Sequence, residues 1–133
     1  MISTKGRYAL RLMVDLSIHE SENYIPLKDI SKRQEISEKY LEIIIKDLVK
    51  HKLIKGLRGK GGGYKLTRTP SDYTVGEILE AAGEQLAPVA CLLPDAEPCN
   101  RKNNCPTIAM WEKYNTITHD YFYGITLADL AEN

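Results

Sequence analysis

Four glycines in five positions, Gly59, Gly61, Gly62 and Gly63, stand between two short apolar segments in LIKGLRGKGGGYKLTRTP. Each glycine inside a helix costs about 1 kcal/mol relative to alanine, so no helix runs through this stretch. Strand candidates lie around Leu57 and around Tyr64 to Leu66, and the loop between them tolerates positive φ. The segment therefore reads as a β-hairpin, with Arg58, Lys60, Lys65 and Arg68 placing cations at the same end. A glycine-rich cradle for a nucleotide is the competing reading. It is disfavoured because neither GxGxxG nor GxxxxGK followed by Ser or Thr is present, and no helix opens directly behind the loop.

What precedes the hairpin is helical. STKGRYALRLMVDLSIHE carries Tyr8, Ala9, Leu12, Met13 and Leu16 on one stripe. Pro26 starts a second, short helix, PLKDISKRQ, which turns Leu27 and Ile30 inward. After the tight connection EIS, Ser37 caps a third helix, SEKYLEIIIKDLVKHKLI. Its buried stripe is Leu41, Ile44, Ile45 and Leu48, leaving Lys39, Glu42, Lys46 and Lys50 on the opposite face. Two short helices joined by a tight turn, the second with an outward basic face, suit a helix-turn-helix that lays one helix in a major groove. A hairpin behind it makes a wing.

Charge follows the same division. Residues 1 to 70 carry 15 Lys and Arg against 8 Asp and Glu, whereas residues 71 to 133 carry 3 against 10. The formal net charge of zero hides a basic half suited to a polyanion. At 133 residues, 43% hydrophobic and 27% charged, the chain is one ordinary globular domain. Neither a secretory signal nor an apolar run long enough to cross a membrane is visible, so a cytoplasmic location is expected. His19, His51 and His119 are scattered and form no catalytic constellation with a nucleophile, which argues against an enzyme.

Behind the hairpin, TVGEILEAAGEQL reads as a fourth helix capped by Thr74. A proline-interrupted loop of roughly twenty residues follows, a length that usually carries function. Then PTIAMWEKYNTITHDYFYGI presents Trp111, Tyr114, Thr118, Tyr121 and Phe122 on a helical stripe. Such a stripe either closes the chain's own core or packs against a second copy, and a homodimer is favoured. TLADLAEN makes a short capped terminal helix.

Five segments in order, STKGRYAL, ISEKYLE, RGKGGGYKL, TVGEI and ITLADL, resemble the winged helix-turn-helix transcriptional regulators of the Rrf2 family over nearly the whole chain. The resemblance implies a mainly α fold with a small β-hairpin wing and a long C-terminal dimerisation helix. Residues 1–70 would form the DNA-binding region and residues 71–133 the cysteine loop and dimerisation region, within one compact domain. A homodimer would place the third helix in each of two major grooves of a double-stranded operator, with the wing in the flanking minor groove. Glu42 matches a family position that reads a base edge, and Arg58 matches a wing arginine that enters a minor groove. The residues expected at the duplex are Lys28, Ser37, Lys39, Tyr40, Glu42, Lys46, Arg58, Lys60, Gly61 and Gly62. Ile43 stands where the cluster-regulating member has a glutamine, so operator preference does not carry over.

The three cysteines, Cys91, Cys99 and Cys105, all fall in CLLPDAEPCNRKNNC. An odd cysteine count in a reducing compartment points to metal or redox chemistry rather than a structural disulfide. The resemblance implies that these three hold an iron-sulfur cluster, either 2Fe-2S or 4Fe-4S, as thiolates readily do. Pro106 would start the next helix, putting Cys105 at its amino end where amides favour the thiolate. The fourth ligand is unknown, because the positions other members use are Ile108 and Tyr8 here. Asp95, Glu97, Glu112, His119, the partner chain and solvent are candidates. Zinc would also accept three thiolates and one further donor. The alternative is a DNA-binding repressor regulated by thiol oxidation or a partner protein, without a cluster.

Overall fold

A computed structural model of the chain describes residues 1–132. It contains α1 (Thr4–Ile18), α2 (Leu27–Gln34), α3 (Glu38–Lys50), β1 (Ile54–Leu57), β2 (Gly63–Leu66), α4 (Val75–Ala81), α5 (Ile108–Tyr123) and α6 (Leu127–Ala131). Helix α1 is the hub, packing against α2, α3, α4, α6 and β2. Its apolar stripe, Ala9, Leu12, Met13 and Leu16, is buried with Ile30 of α2, with Leu41, Ile44, Ile45 and Leu48 of α3, and with Leu127 of α6. The core is therefore continuous from one end of the sequence to the other.

Local signals set most boundaries. Ser3, Ser37 and Thr74 cap α1, α3 and α4, each hydroxyl accepting from an amide three residues on. Pro26 serves as the cap of α2 rather than its first residue. Three boundaries differ from the periodicity. Helix α3 ends at Lys50, because Lys52 turns left-handed at φ 60° and frees Ile54 to open β1. Helix α4 stops at Ala81, several residues early, because Gly83 at φ 97° closes it, with the Glu84 amide bonded back to the Leu79 carbonyl at 3.0 Å. Helix α5 begins at Ile108 after a turn through Pro106 and Thr107, so Cys105 precedes the helix rather than heading it.

The wing is an antiparallel pair with Ile54 opposite Leu66 and Leu57 opposite Gly63. A backbone bridge between Ile25 and Tyr64, bonded both ways at 2.9 Å, stitches it to the entry of α2. Tyr73 secures its base. The ring is fully buried, and its hydroxyl accepts from the amides of Thr67 (2.9 Å) and Arg68 (3.0 Å) while donating to the Leu53 carbonyl (2.7 Å). Tyr73→Phe would strip a partner from all three groups, with a loss of about 2 kcal/mol expected in urea unfolding.

Asp15 is the one charged side chain among the buried described residues. It accepts from Arg33 Nε (3.0 Å) and Nη2 (2.7 Å) and from Gln34 Nε2 (2.9 Å), locking α2 onto α1. The turn to α3 then runs through Glu35, left-handed at φ 55°, and the buried Ile36.

Candidate nucleic-acid interface and cysteine cavity

Leu41, Ile44, Ile45 and Leu48 face the core, so the 3.6-residue period turns Lys39, Glu42, Ile43, Lys46 and Lys50 outward, and all five are exposed. Ser37 is exposed too, but its hydroxyl caps α3 by accepting from the Tyr40 amide at 3.1 Å. Tyr40 is half-buried, its ring edge-on to Tyr8 at 5.6 Å. Lys28 opens onto a cleft of about 330 Å³ that brings it together with Glu38 of α3 and Gly59 and Gly62 of the wing.

The wing tip is turned outward. Arg58, Gly59, Lys60 and Gly61 are exposed, and Gly61 at φ 76° has nothing within 4 Å of where a Cβ would stand. Lys65 and Arg68 do not join these cations at the tip. Arg68 forms a two-pronged pair with Glu77 (2.8 and 2.9 Å), and Lys65 donates to the Glu22 carbonyl (3.1 Å) above the Tyr24 ring. Both lie toward the strand bases, where Glu77 of α4 supplies Arg68 with an anionic partner and the segment before α2 holds Lys65 through a backbone carbonyl and an aromatic ring.

The cysteines lie between α4 and α5. Cys91 sits in a short 3-10 turn, Ala90–Leu92, and Cys105 follows another, Lys102–Asn104. All three thiols are free, with Cys91 and Cys99 exposed and Cys105 half-buried. They line one cavity of about 430 Å³, whose walls also include Glu97, Ile108 and Glu112. Among the described residues, no group of three or more His, Cys, Asp and Glu side chains is placed to hold a single metal ion. The thiols instead surround a larger space. Asp95 and His119 open onto a different cavity, shared with Glu80 and Glu84.

Thr107 is the residue that sequence reasoning passed over. Its hydroxyl lies 3.5 Å from Cys105 Sγ, and this bond, followed by those of the Thr107 and Ile108 amides, holds the thiol below its ordinary range. The only signal was its place two residues after a cysteine. Thr107→Val is expected to slow iodoacetamide alkylation of Cys105 in metal-free protein by roughly a few-fold at neutral pH. The lowered value enlarges the thiolate fraction below the ordinary thiol range, so the difference should vanish as pH rises above it.

Residues 2–133 match the Rrf2 family, described as iron-dependent transcriptional regulator. The chain belongs to the Rrf2 family. It is 36% identical over 132 residues to the HTH-type transcriptional regulator IscR of Sodalis glossinidius, covering 99% of this chain and 79% of that one. Among solved structures, CymR (YrzC), the global cysteine regulator of B. subtilis, superposes with a TM-score of 0.79 at 34% identity, covering 99% of this chain and 96% of that one. T. potens IscR does so at 0.77 and 36%, covering 99% and 86%. This Rrf2 chain is thus a winged-helix transcriptional regulator and not an enzyme. No helix among the described residues is long and apolar enough to cross a membrane.

Proposed function

We propose that this Rrf2 regulator is a cytoplasmic homodimer that binds an operator and senses iron-sulfur status, redox change or nitric oxide through a cluster held by Cys91, Cys99 and Cys105. The observation that carries this reading is the convergence of all three thiols on one cavity at the foot of α5. Their chemistry fits the group: thiolates are preferred ligands of iron-sulfur cores, and the connecting segment is irregular enough to wrap one without straining a helix. When bound, such a cluster would supply a redox-active and nitrosylatable centre. Residues 1–70 read DNA and residues 71–133 sense and dimerise.

Dimerisation rests on α5. None of its described residues is buried in the single chain, and Tyr114, Ile117 and Tyr121 are each more than half exposed. They line an apolar groove with Met1, Ile2 and Leu86, a surface that favours a partner over water. The DNA face comprises Lys28, Ser37, Lys39, Tyr40, Glu42 and Lys46 with the wing residues Arg58, Lys60, Gly61 and Gly62. Glu84, at the root of the cysteine segment, accepts from the Ser3 amide (2.9 Å) and hydroxyl, which links the sensing half to the cap of α1. Cluster assembly or loss would bias the spacing of the two reading heads through this link.

Oxygen-free protein is expected to be brown, to contain iron and sulfide, and to lose visible absorption in air. A triple Cys-to-Ala variant should be colourless and should bind DNA without responding to oxidant or nitric oxide. Colourless wild-type protein after reconstitution would refute the sensor. The likeness to CymR favours a second reading in which the cysteines act by reversible disulfide chemistry. Mass spectrometry of oxidised protein distinguishes it, since that version alone requires a disulfide or mixed disulfide.

A further inference from the structure

Three thiolates leave one iron of a cluster short of a protein ligand. Resting on the cluster reading above, we infer that the Glu112 carboxylate of α5 is the fourth ligand. The cavity lined by Cys91, Cys99 and Cys105 has otherwise apolar neighbours, Leu92, Ala96, Pro98 and Ile108, and the non-sulfur acids on its wall are Glu97 and Glu112. His119 and Asp95 face the neighbouring cavity, and the His119 ring stacks on Tyr123 at 4.3 Å.

Glu112 is favoured over Glu97 by its scaffold. It stands four residues after Ile108 and shares its helix face, which is the face that lines the cavity. Helical side chains lean toward the amino end, so Glu112 leans back toward the turn that carries Cys105 into that helix. Its backbone is already fixed by a 16-residue helix. Glu97 lies in an irregular stretch between Pro94 and Pro98, and fixing it would add an ordering cost that Glu112 avoids. A carboxylate is a harder and more exchangeable donor than a thiolate. It marks the iron that an incoming small molecule would reach first.

The test uses the full chain labelled with ¹³C-glutamate, reconstituted without oxygen, reduced with dithionite and studied by electron-nuclear double resonance. Wild-type protein should show ¹³C coupling to the cluster, lost in Glu112→Gln and kept in Glu97→Gln. If Glu112→Gln sheds its iron, Glu112→Cys should restore iron and sulfide to wild-type content with a shifted visible spectrum, whereas failure of that rescue would overturn the assignment. Coupling that survives Glu112→Gln but disappears in Glu97→Gln would make Glu97 the ligand. Iron-loaded wild-type protein without any coupling would assign the position to solvent or a non-glutamate group, and the assignment would be wrong. Wild-type protein with neither iron nor sulfide would instead sink the cluster reading itself, and this inference with it.

Discussion

Replacing Arg33 with methionine is expected to lower the unfolding free energy by about 3–5 kcal/mol, the range for stranding one member of a buried ion pair. The pair is lopsided. The Asp15 side chain is 0% exposed and that of Arg33 is 34% exposed. Removing Arg33 leaves a carboxylate inside the core with Gln34 as its remaining hydrogen-bond donor, and His19 Nδ1 no closer than 3.7 Å. Removing Asp15 instead lets the guanidinium swing into water. Asp15→Leu should therefore cost less than Arg33→Met, and the double variant should be more stable than Arg33→Met alone. Urea denaturation of the four proteins gives the cycle. Additive losses would show that the two side chains do not act as a pair. Because the pair holds α2 against α1, Arg33→Met should also weaken DNA binding, through misplacement of α3 rather than loss of a contact.

The second large effect is expected at the wing. Arg58→Ala with Lys60→Ala removes four cations from the proposed dimer, and each phosphate contact contributes close to 0.9 to the slope of log affinity against log salt. The slope should fall by about 3 to 4, and affinity near physiological salt by roughly two to three orders of magnitude. Fluorescence anisotropy on a duplex library enriched by the wild-type protein measures both quantities. Lys65→Ala and Arg68→Ala are the internal comparison. Those side chains are engaged with Glu22, Tyr24 and Glu77, so they should leave the salt slope nearly unchanged and act on stability. A wing variant with an unaltered slope would remove the tip from the interface.

The sequence was most readable where a local rule decides the outcome. Caps at Ser37 and Thr74 and the apolar stripes of α1 and α3 each follow from spacing alone. So does the hairpin, since four glycines leave few alternatives. Less legible were features made by distant residues. Nothing near Arg68 announces that Glu77 will claim it, and nothing near Ile25 announces its bridge to Tyr64. The early end of α4 was written in Gly83, but the apolar run around it obscured the stop. The cysteines were conspicuous as a group. That they share a wall with Glu97 and Glu112, and not with Asp95 or His119, depends on how the segment folds back over α5.

The bridge between Thr74 and Thr126 has a mechanical corollary. Together with the Val75 amide on the Ile125 carbonyl at 2.9 Å and the Tyr123 hydroxyl on Glu80 at 2.7 Å, it pins the far end of α5. The near end hangs from an irregular tether. A rod of 16 residues is about 24 Å long, so a 5° swing about that hinge carries its free tip through about 2 Å. Shortening or relaxing the tether would therefore swing the amino end of α5 about its fixed carboxyl end.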